Sequence, residues 1–235
     1  MLSGLEIKRQ VELGNIKIEP FNEKQLNPNS YNIKLGKHLK VYETSKYGPD
    51  YISEKTSEML KPYMEEYSKK YMNPNNSEIF SEEANKERNV LIDDLAKKRI
   101  EYENKLLREI ALDPKKDNKV IDIEIPDDGY ILIPGVLYLG TTEEYTETYG
   151  FIPNIDGRST TGRLGIEIHR TAGFGDNGFC GKWTLEITCT HPVIVYHGME
   201  IGQLYYEVID GDNSMKYNGK YQNQKDVEQA KVDKE

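Results

Sequence analysis

Trp183-Thr184-Leu185-Glu186-Ile187-Thr188-Cys189 alternates apolar and polar residues without a break. A period of two belongs to a half-buried β-strand. It places Trp183, Leu185 and Ile187 on one face and Thr184, Glu186 and Thr188 on the other. Shorter runs of strand character lie around it, at residues 120–125, 130–133, 136–138, 151–152, 165–169, 193–196 and 203–209. Pro126, Asp127-Asp128-Gly129 and Pro134-Gly135 separate the first of them. Many short strands punctuated by Gly and Pro specify a mainly β subunit of sandwich or barrel type. Toward the N-terminus, residues 16–18, 30–35 and 39–42 add strands, the last two parted by Gly36. Residues 3–14 read as a short helix, with Ser3 and Glu6 as a capping box, Leu5 and Val11 on one face, and Gly14 as the stop.

Composition shifts sharply between residues 53 and 112, which are rich in Glu, Lys, Asn and Tyr. Two helices are expected there, divided by the turn Asn73-Pro74-Asn75-Asn76. Leu91, Leu95, Tyr102, Leu106 and Ile110 recur at helical spacing with charges on the other faces. This amphipathic hairpin suits a solvated scaffold or a subunit contact. The expected organisation is one β domain over residues 1–225, with 53–112 as a helical insertion and 211–235 as a polar tail or lid.

The 235 residues carry a formal net charge of −9, with 37% hydrophobic and 30% charged residues. So acidic a chain argues against binding duplex nucleic acid through a basic face. A polyanion would need Arg and Lys gathered into one pocket. No run of about 18 apolar residues predicts a membrane span. Residues 1–8 lack the apolar core of a signal peptide, so a cytoplasmic protein is expected. Cys180 and Cys189 are too few for a disulfide framework and read as small buried hydrophobes.

Two segments carry candidate chemistry. In Asp156-Gly157-Arg158-Ser159-Thr160-Thr161-Gly162-Arg163-Leu164-Gly165, the glycine before Arg-Ser allows a sharp turn close to a ligand. Backbone N–H groups with Arg158, Ser159 and Arg163 could cradle phosphate oxygens. Taken alone, it is weak evidence and reads more readily as an ordinary loop. The glycines between His169 and Gly181 imply backbone packed tightly around something flat. Glu186, inside an otherwise apolar strand, costs desolvation unless paired and suits proton transfer; by pattern alone it is also an exposed polar position. Ile201-Gly202-Gln203-Leu204 and Lys220-Tyr221-Gln222-Asn223-Gln224 are nondescript in isolation.

Their order and spacing together resemble the dCTP deaminase branch of the dUTPase superfamily. The matching residues are Gly157-Arg158-Ser159 with Arg163, His169 with Thr171-Ala172, Asp176 with Gly178-Phe179 and Gly181, Leu185-Glu186, Ile201-Gly202-Gln203-Leu204, and Lys220-Tyr221 with Gln224. Pro28-Asn29-Ser30-Tyr31-Asn32, Leu35-Gly36 and Leu139-Gly140-Thr141-Thr142 fit as well. The similarity covers about residues 1–44 and 120–225. Departures are Asn32 for a usual Asp, Thr160 for Ser, Gly175 for an aliphatic residue and Asn177 for Pro or Ala. Gly175 is expected to loosen the loop that carries Asp176, and the short spacing from Tyr217 to Lys220 weakens Tyr217 as a ligand.

The resemblance implies a homotrimer of dUTPase-like, distorted β-barrel subunits with active sites shared between chains. It implies zinc-independent deamination in which Glu186 takes a proton from the water attacking C4 of cytosine and delivers protons to the departing ammonia. Ser159 and Arg163 would come from the neighbouring subunit. Arg158 and the adjoining Thr160, Thr161 and Gly162 would hold triphosphate, and Asp176 would accept the sugar 3′-hydroxyl. Ala172, Thr184 and Leu185 would line the nucleotide, with Gln203, Tyr217, Lys220 and Gln224 at the phosphates as the tail closes. Mg²⁺ would travel on the triphosphate; the resemblance adds dUTP, and dTTP as an inhibitor, to the candidate nucleotides, and the sequence leaves dTTP regulation open. Thr171-Ala172-Gly173-Phe174 resembles the bifunctional members, which turn dCTP into dUMP, ammonia and diphosphate and so supply dUMP for thymidylate synthesis. Remaining rivals are a deaminase-only enzyme forming dUTP, a plain dUTPase, and a silent nucleotide-binding regulator. The His-x-Glu and Pro-Cys-x-x-Cys ligand set of zinc deaminases does not occur in the chain.

Overall fold

The computed structural model describes residues 1–48, 50–72 and 81–232. They divide into two compact units, Met1–Ser45 with Pro114–Glu235, and Lys46–Asp113. In chain order the elements begin with α1 (Gly4–Glu12), β1 (Ile16–Glu19) and β2 (Tyr31–Tyr42). The second unit contributes α2 (Tyr51–Tyr71) and α3 (Glu82–Ile110). The first unit resumes with β3 (Val120–Glu124), β4 (Tyr130–Leu132), β5 (Tyr138–Thr148), β6 (Phe151–Gly157), α4 (Ser159–Arg163), β7 (Ile166–Glu167), β8 (Cys180–Cys189), β9 (Val193–Val195) and β10 (Glu200–Val208).

An antiparallel sheet runs in the order β6-β10-β2-β5-β8-β7, with β1 on β5 and β3 on β2; β4 and β9 form a separate ribbon. The result is a nearly closed, distorted barrel, the mainly β architecture expected. Ile33, Leu35, Leu39, Leu185, Ile187 and Leu204 are fully buried at its centre, joined by Ile7 from α1. Each such side chain contributes about 1.5–3 kcal/mol on burial.

The register corrects several expectations. Residues 31–35 and 39–42 belong to one strand that passes through Gly36, where a Cβ would stand 2.5 Å from Thr141. Strand β5 extends ten residues beyond Tyr138, through a run of Thr and Glu that carries no hydrophobic signal. Inward polar side chains are tied to β8: Thr142 Oγ1 accepts from the Trp183 N–H at 2.9 Å, and Thr146 Oγ1 from the indole N–H at 3.0 Å. In α1 Ser3 caps as expected, accepting from the Glu6 N–H at 3.2 Å. The Glu6 carboxylate turns instead to Arg9 and Gln10, which hold its pKa down at about 2. The buried face of α1 carries Ile7, and Leu5 is 82% exposed. Residues 156–165 include one helical turn, α4.

In the second unit α2 and α3 pack together, burying Leu95 and Leu106, with Leu91, Tyr102 and Ile110 half-buried. The predicted turn at 73–76 lies outside the described residues. Among the described residues no helix is long and apolar enough to cross a membrane. Cys180 and Cys189 are free and buried.

Candidate active site

Alternation along β8 sends Leu185 into the core and turns Lys182, Thr184 and Glu186 to the opposite face. There they form one wall of a cavity of about 400 Å³. Ala172 and Asp176 approach from the preceding loop, Tyr217, Gln224 and Glu228 from the tail, and Tyr42 and Leu139 close an apolar side. Of the residues singled out in the sequence, Ala172, Asp176, Thr184, Glu186, Tyr217 and Gln224 therefore meet in one place.

Glu186 is half-buried and held from two directions. Its Oε2 accepts from the Arg170 backbone N–H at 2.8 Å, and its own N–H donates to the Ile168 carbonyl at 2.9 Å. The second carboxylate oxygen has no hydrogen-bond partner among the described residues. One anchored oxygen and one free oxygen give a fixed, accessible base, the arrangement proton transfer needs.

The loop that carries Asp176 is tight, contrary to the loosening expected from Gly175. A Cβ at Gly175 would lie 2.4 Å from the Trp183 ring and 2.9 Å from the Pro153 carbonyl, and the Gly175 N–H donates to that carbonyl at 2.8 Å. The glycine makes room for tryptophan, so what the loop packs around is the chain's own indole. Asn177 is equally structural: its side chain donates to the carbonyls of Asn213 and Met215 and accepts from the Gly150 N–H, fastening the start of the tail. Tyr217 then stacks edge-on against Phe179 with centroids 5.8 Å apart.

The tail is an ordered cover. Gln224 is buried and pairs with Gly181 in a parallel bridge. Its amide donates to the Lys182 carbonyl at 2.9 Å and to Thr184 Oγ1 at 2.7 Å. Thr184 Oγ1 also accepts from the Glu228 N–H at 3.3 Å. Val227 buries against Tyr42 and Leu139, and Asp226 meets His38 at 2.6 Å. Lys220 Nζ donates to the Lys231 carbonyl at 2.9 Å. No hydrophobic period announces this segment, because hydrogen bonds to β8 hold it.

The turn after β6 lies away from the cavity. Arg158 is engaged by Glu200, through Oε2 at 2.8 Å and the backbone carbonyl at 3.1 Å. Gln203 bridges Ser30 Oγ and the Gly157 carbonyl, and Thr161 is buried with its hydroxyl donating to the Ile201 carbonyl. In this arrangement these three fasten the turn to β10. Asn32 explains its own departure from aspartate: its amide donates to Glu200 Oε2 at 3.0 Å, where a carboxylate would repel. Gly157 meets nothing within 4 Å and takes no left-handed conformation, so the turn after β6 does not depend on a glycine at this position. Ser159, Thr160, Gly162 and Arg163 are exposed, with Arg163 Nη1 donating to the Ser159 carbonyl at 3.2 Å. None of the turn residues lines the cavity.

A profile described as dCTP deaminase-like matches residues 1–82 and 94–209. The chain belongs to the dCTP deaminase-like family. Among similar proteins, the dCTP deaminase, dUMP-forming, of Clostridium acetobutylicum is 39% identical over 97% of this chain and 94% of its own length. The protein of the same name from Cytophaga hutchinsonii is 36% identical over the same shares. A solved 2′-deoxycytidine 5′-triphosphate deaminase from Agrobacterium tumefaciens aligns with 88% of this chain and 48% of its own, at 17% identity and a TM-score of 0.49. Within this dCTP deaminase-like chain, sequence reasoning missed Lys182 and the cover residue Glu228. The period of two along β8 was signal enough for Lys182, which shares the face of Thr184 and Glu186. No local pattern marks Glu228.

Proposed function

We propose that this chain deaminates dCTP and cleaves the triphosphate to give dUMP, ammonia and diphosphate. The observation that carries the reading is Glu186, anchored by the Arg170 N–H and facing a cavity that also holds Asp176 and the covering tail. Membership in the dCTP deaminase-like family and the dUMP-forming relatives support the reaction.

In the deamination step water forms a bond to C4 of cytosine while Glu186 takes its proton. Proton delivery to the exocyclic nitrogen then lets the C4–N bond break, and ammonia leaves as the carbonyl forms. A second water attacks the α-phosphorus, the bond to the bridging oxygen breaks, and diphosphate departs. Asp176, which lines the same cavity, would accept a hydrogen bond from a sugar hydroxyl. Ser159 and Arg163, exposed and away from their own chain's cavity, fit a role in a neighbouring copy's site, where they would orient water and stabilise developing charge. That reading makes the active species a homotrimer. Arg158, Gln203 and Thr161 position the turn that presents them.

Mg²⁺ would enter with the triphosphate, whose oxygens are suitable hard ligands, and would neutralise charge at the phosphates. Among the described residues no cluster of three or more His, Cys, Asp or Glu side chains is grouped to bind a metal. The metal is proposed to be carried by the nucleotide. The reaction is proposed to be zinc-independent, since the zinc-deaminase ligand motif is missing from the sequence.

The deciding experiment incubates the protein with dCTP and Mg²⁺ and resolves the products. Ammonia with dUMP supports the proposal. Ammonia with dUTP would reduce it to deamination alone, and dCTP bound without turnover would overturn it.

A further inference from the structure

We infer that Lys182 is a phosphate-recognising residue that sets the direction of the nucleotide in the cavity and favours a triphosphate over shorter chains. The inference rests on the proposed function and adds a specificity determinant to it. Lys182 lies on the same face of β8 as Thr184 and Glu186. It stands four residues from Glu186, roughly 13 Å along an extended strand.

The charges around the cavity are uneven. Asp176, Glu186 and Glu228 contribute carboxylates, and among the described residues lining it Lys182 is the one cation. Glu228 already has Lys231 at 3.5 Å, outside the cavity lining. The Lys182 ammonium makes no ion pair or hydrogen bond among the described residues, although it is only partly exposed. A polyanion placed near Glu186 would be repelled; near Lys182 it gains an ammonium donor. The pyrimidine therefore belongs at the Glu186 end and the phosphates at the Lys182 end.

The backbone of Lys182 is fixed by the same tail that covers the cavity. Its N–H donates to the Gln224 carbonyl and its carbonyl accepts from the Gln224 amide, both at 2.9 Å. The side chain thus projects from a rigid point under the cover, and its replacement leaves both bonds in place.

The test compares wild type, Lys182→Gln and Lys182→Arg with dCTP and dCDP. Loss of one charge-assisted contact is expected to raise KM for dCTP roughly tenfold in Lys182→Gln. It should change kcat much less, and narrow the preference for dCTP over dCDP by a similar factor. Lys182→Arg should recover most of that preference. An unchanged KM and preference in Lys182→Gln would overturn the inference, as would an equal rise for dCTP, dCDP and deoxycytidine. If wild type released no ammonia, the functional proposal would fail on its own. Calorimetric binding of dCTP and dCDP would then test Lys182 by the same comparison.

Discussion

Glu186→Gln separates chemistry from architecture. The amide retains an oxygen for the Arg170 N–H, now 2.8 Å from Oε2, so the local fold is kept. A hydrogen bond to a charged group is worth about 1.5–3 kcal/mol and a neutral one about 0.5–1.5. The stability loss should therefore be about 1–2 kcal/mol, well within what a domain tolerates. The amide cannot take a proton from water. Loss of a positioned general base lowers kcat by a factor of about 10²–10⁴, or about 2.7–5.4 kcal/mol of barrier. Because the wall is preserved, affinity for dCTP should change little. The assay is single-turnover ammonia release with nucleotide products separated by chromatography, beside equilibrium binding of dCTP to the same preparation. Glu186→Asp keeps the charge but withdraws it by one methylene, so it must give up either its anchor or its reach and should fall between. A Gln variant that is folded, binds dCTP and retains kcat within tenfold of wild type would refute the reasoning.

Removing the Thr184 hydroxyl with Thr184→Val strips the acceptor from the Gln224 amide and the Glu228 N–H. At about 1–3 kcal/mol for buried donors left unpaired, the tail should open more often, read as faster amide exchange over residues 217–230; unchanged exchange would mean the cover is held elsewhere. Mixing Ser159→Ala with Glu186→Gln chains should restore activity in about a quarter of the sites of randomly mixed trimers, if each site draws on two subunits. Mixed oligomers as inactive as either parent would place both residues in one chain's site. Glu144 is fully buried, and its pKa is raised chiefly by desolvation, despite bonds from the Lys34 N–H and the Gln25 amide. A raised carboxyl pKa favours the folded state below the unfolded value near 4.5 and loses that contribution as pH rises through the folded value. Wild type should accordingly lose stability relative to Glu144→Gln as pH rises above the unfolded value near 4.5 in chemical denaturation; parallel stabilities would show that Glu144 does not titrate with folding.

The alternation of residues 183–189 was legible at once, because the period of two follows from local backbone geometry, and with it came the shared face of Thr184 and Glu186. Asp176 and Gln224 could be singled out by the order of motifs but not placed, and Lys182 was legible but overlooked. Strand β5 was cut short because Thr142, Thr146 and Glu144 are satisfied by partners far away in sequence, which no local hydrophobic pattern records.

The sequence by itself determined a mainly β chain with a helical insertion, and which carboxylate faces away from the core. Only the tertiary structure decided that Arg170 would anchor that carboxylate through its backbone, that Glu200 would occupy Arg158, and that Gln224 would fold the tail onto β8. Each of these is a hydrogen bond or ion pair between residues 16 to 42 positions apart. Such contacts depend on which strands pair and in what register, and that is settled by packing the whole barrel at once.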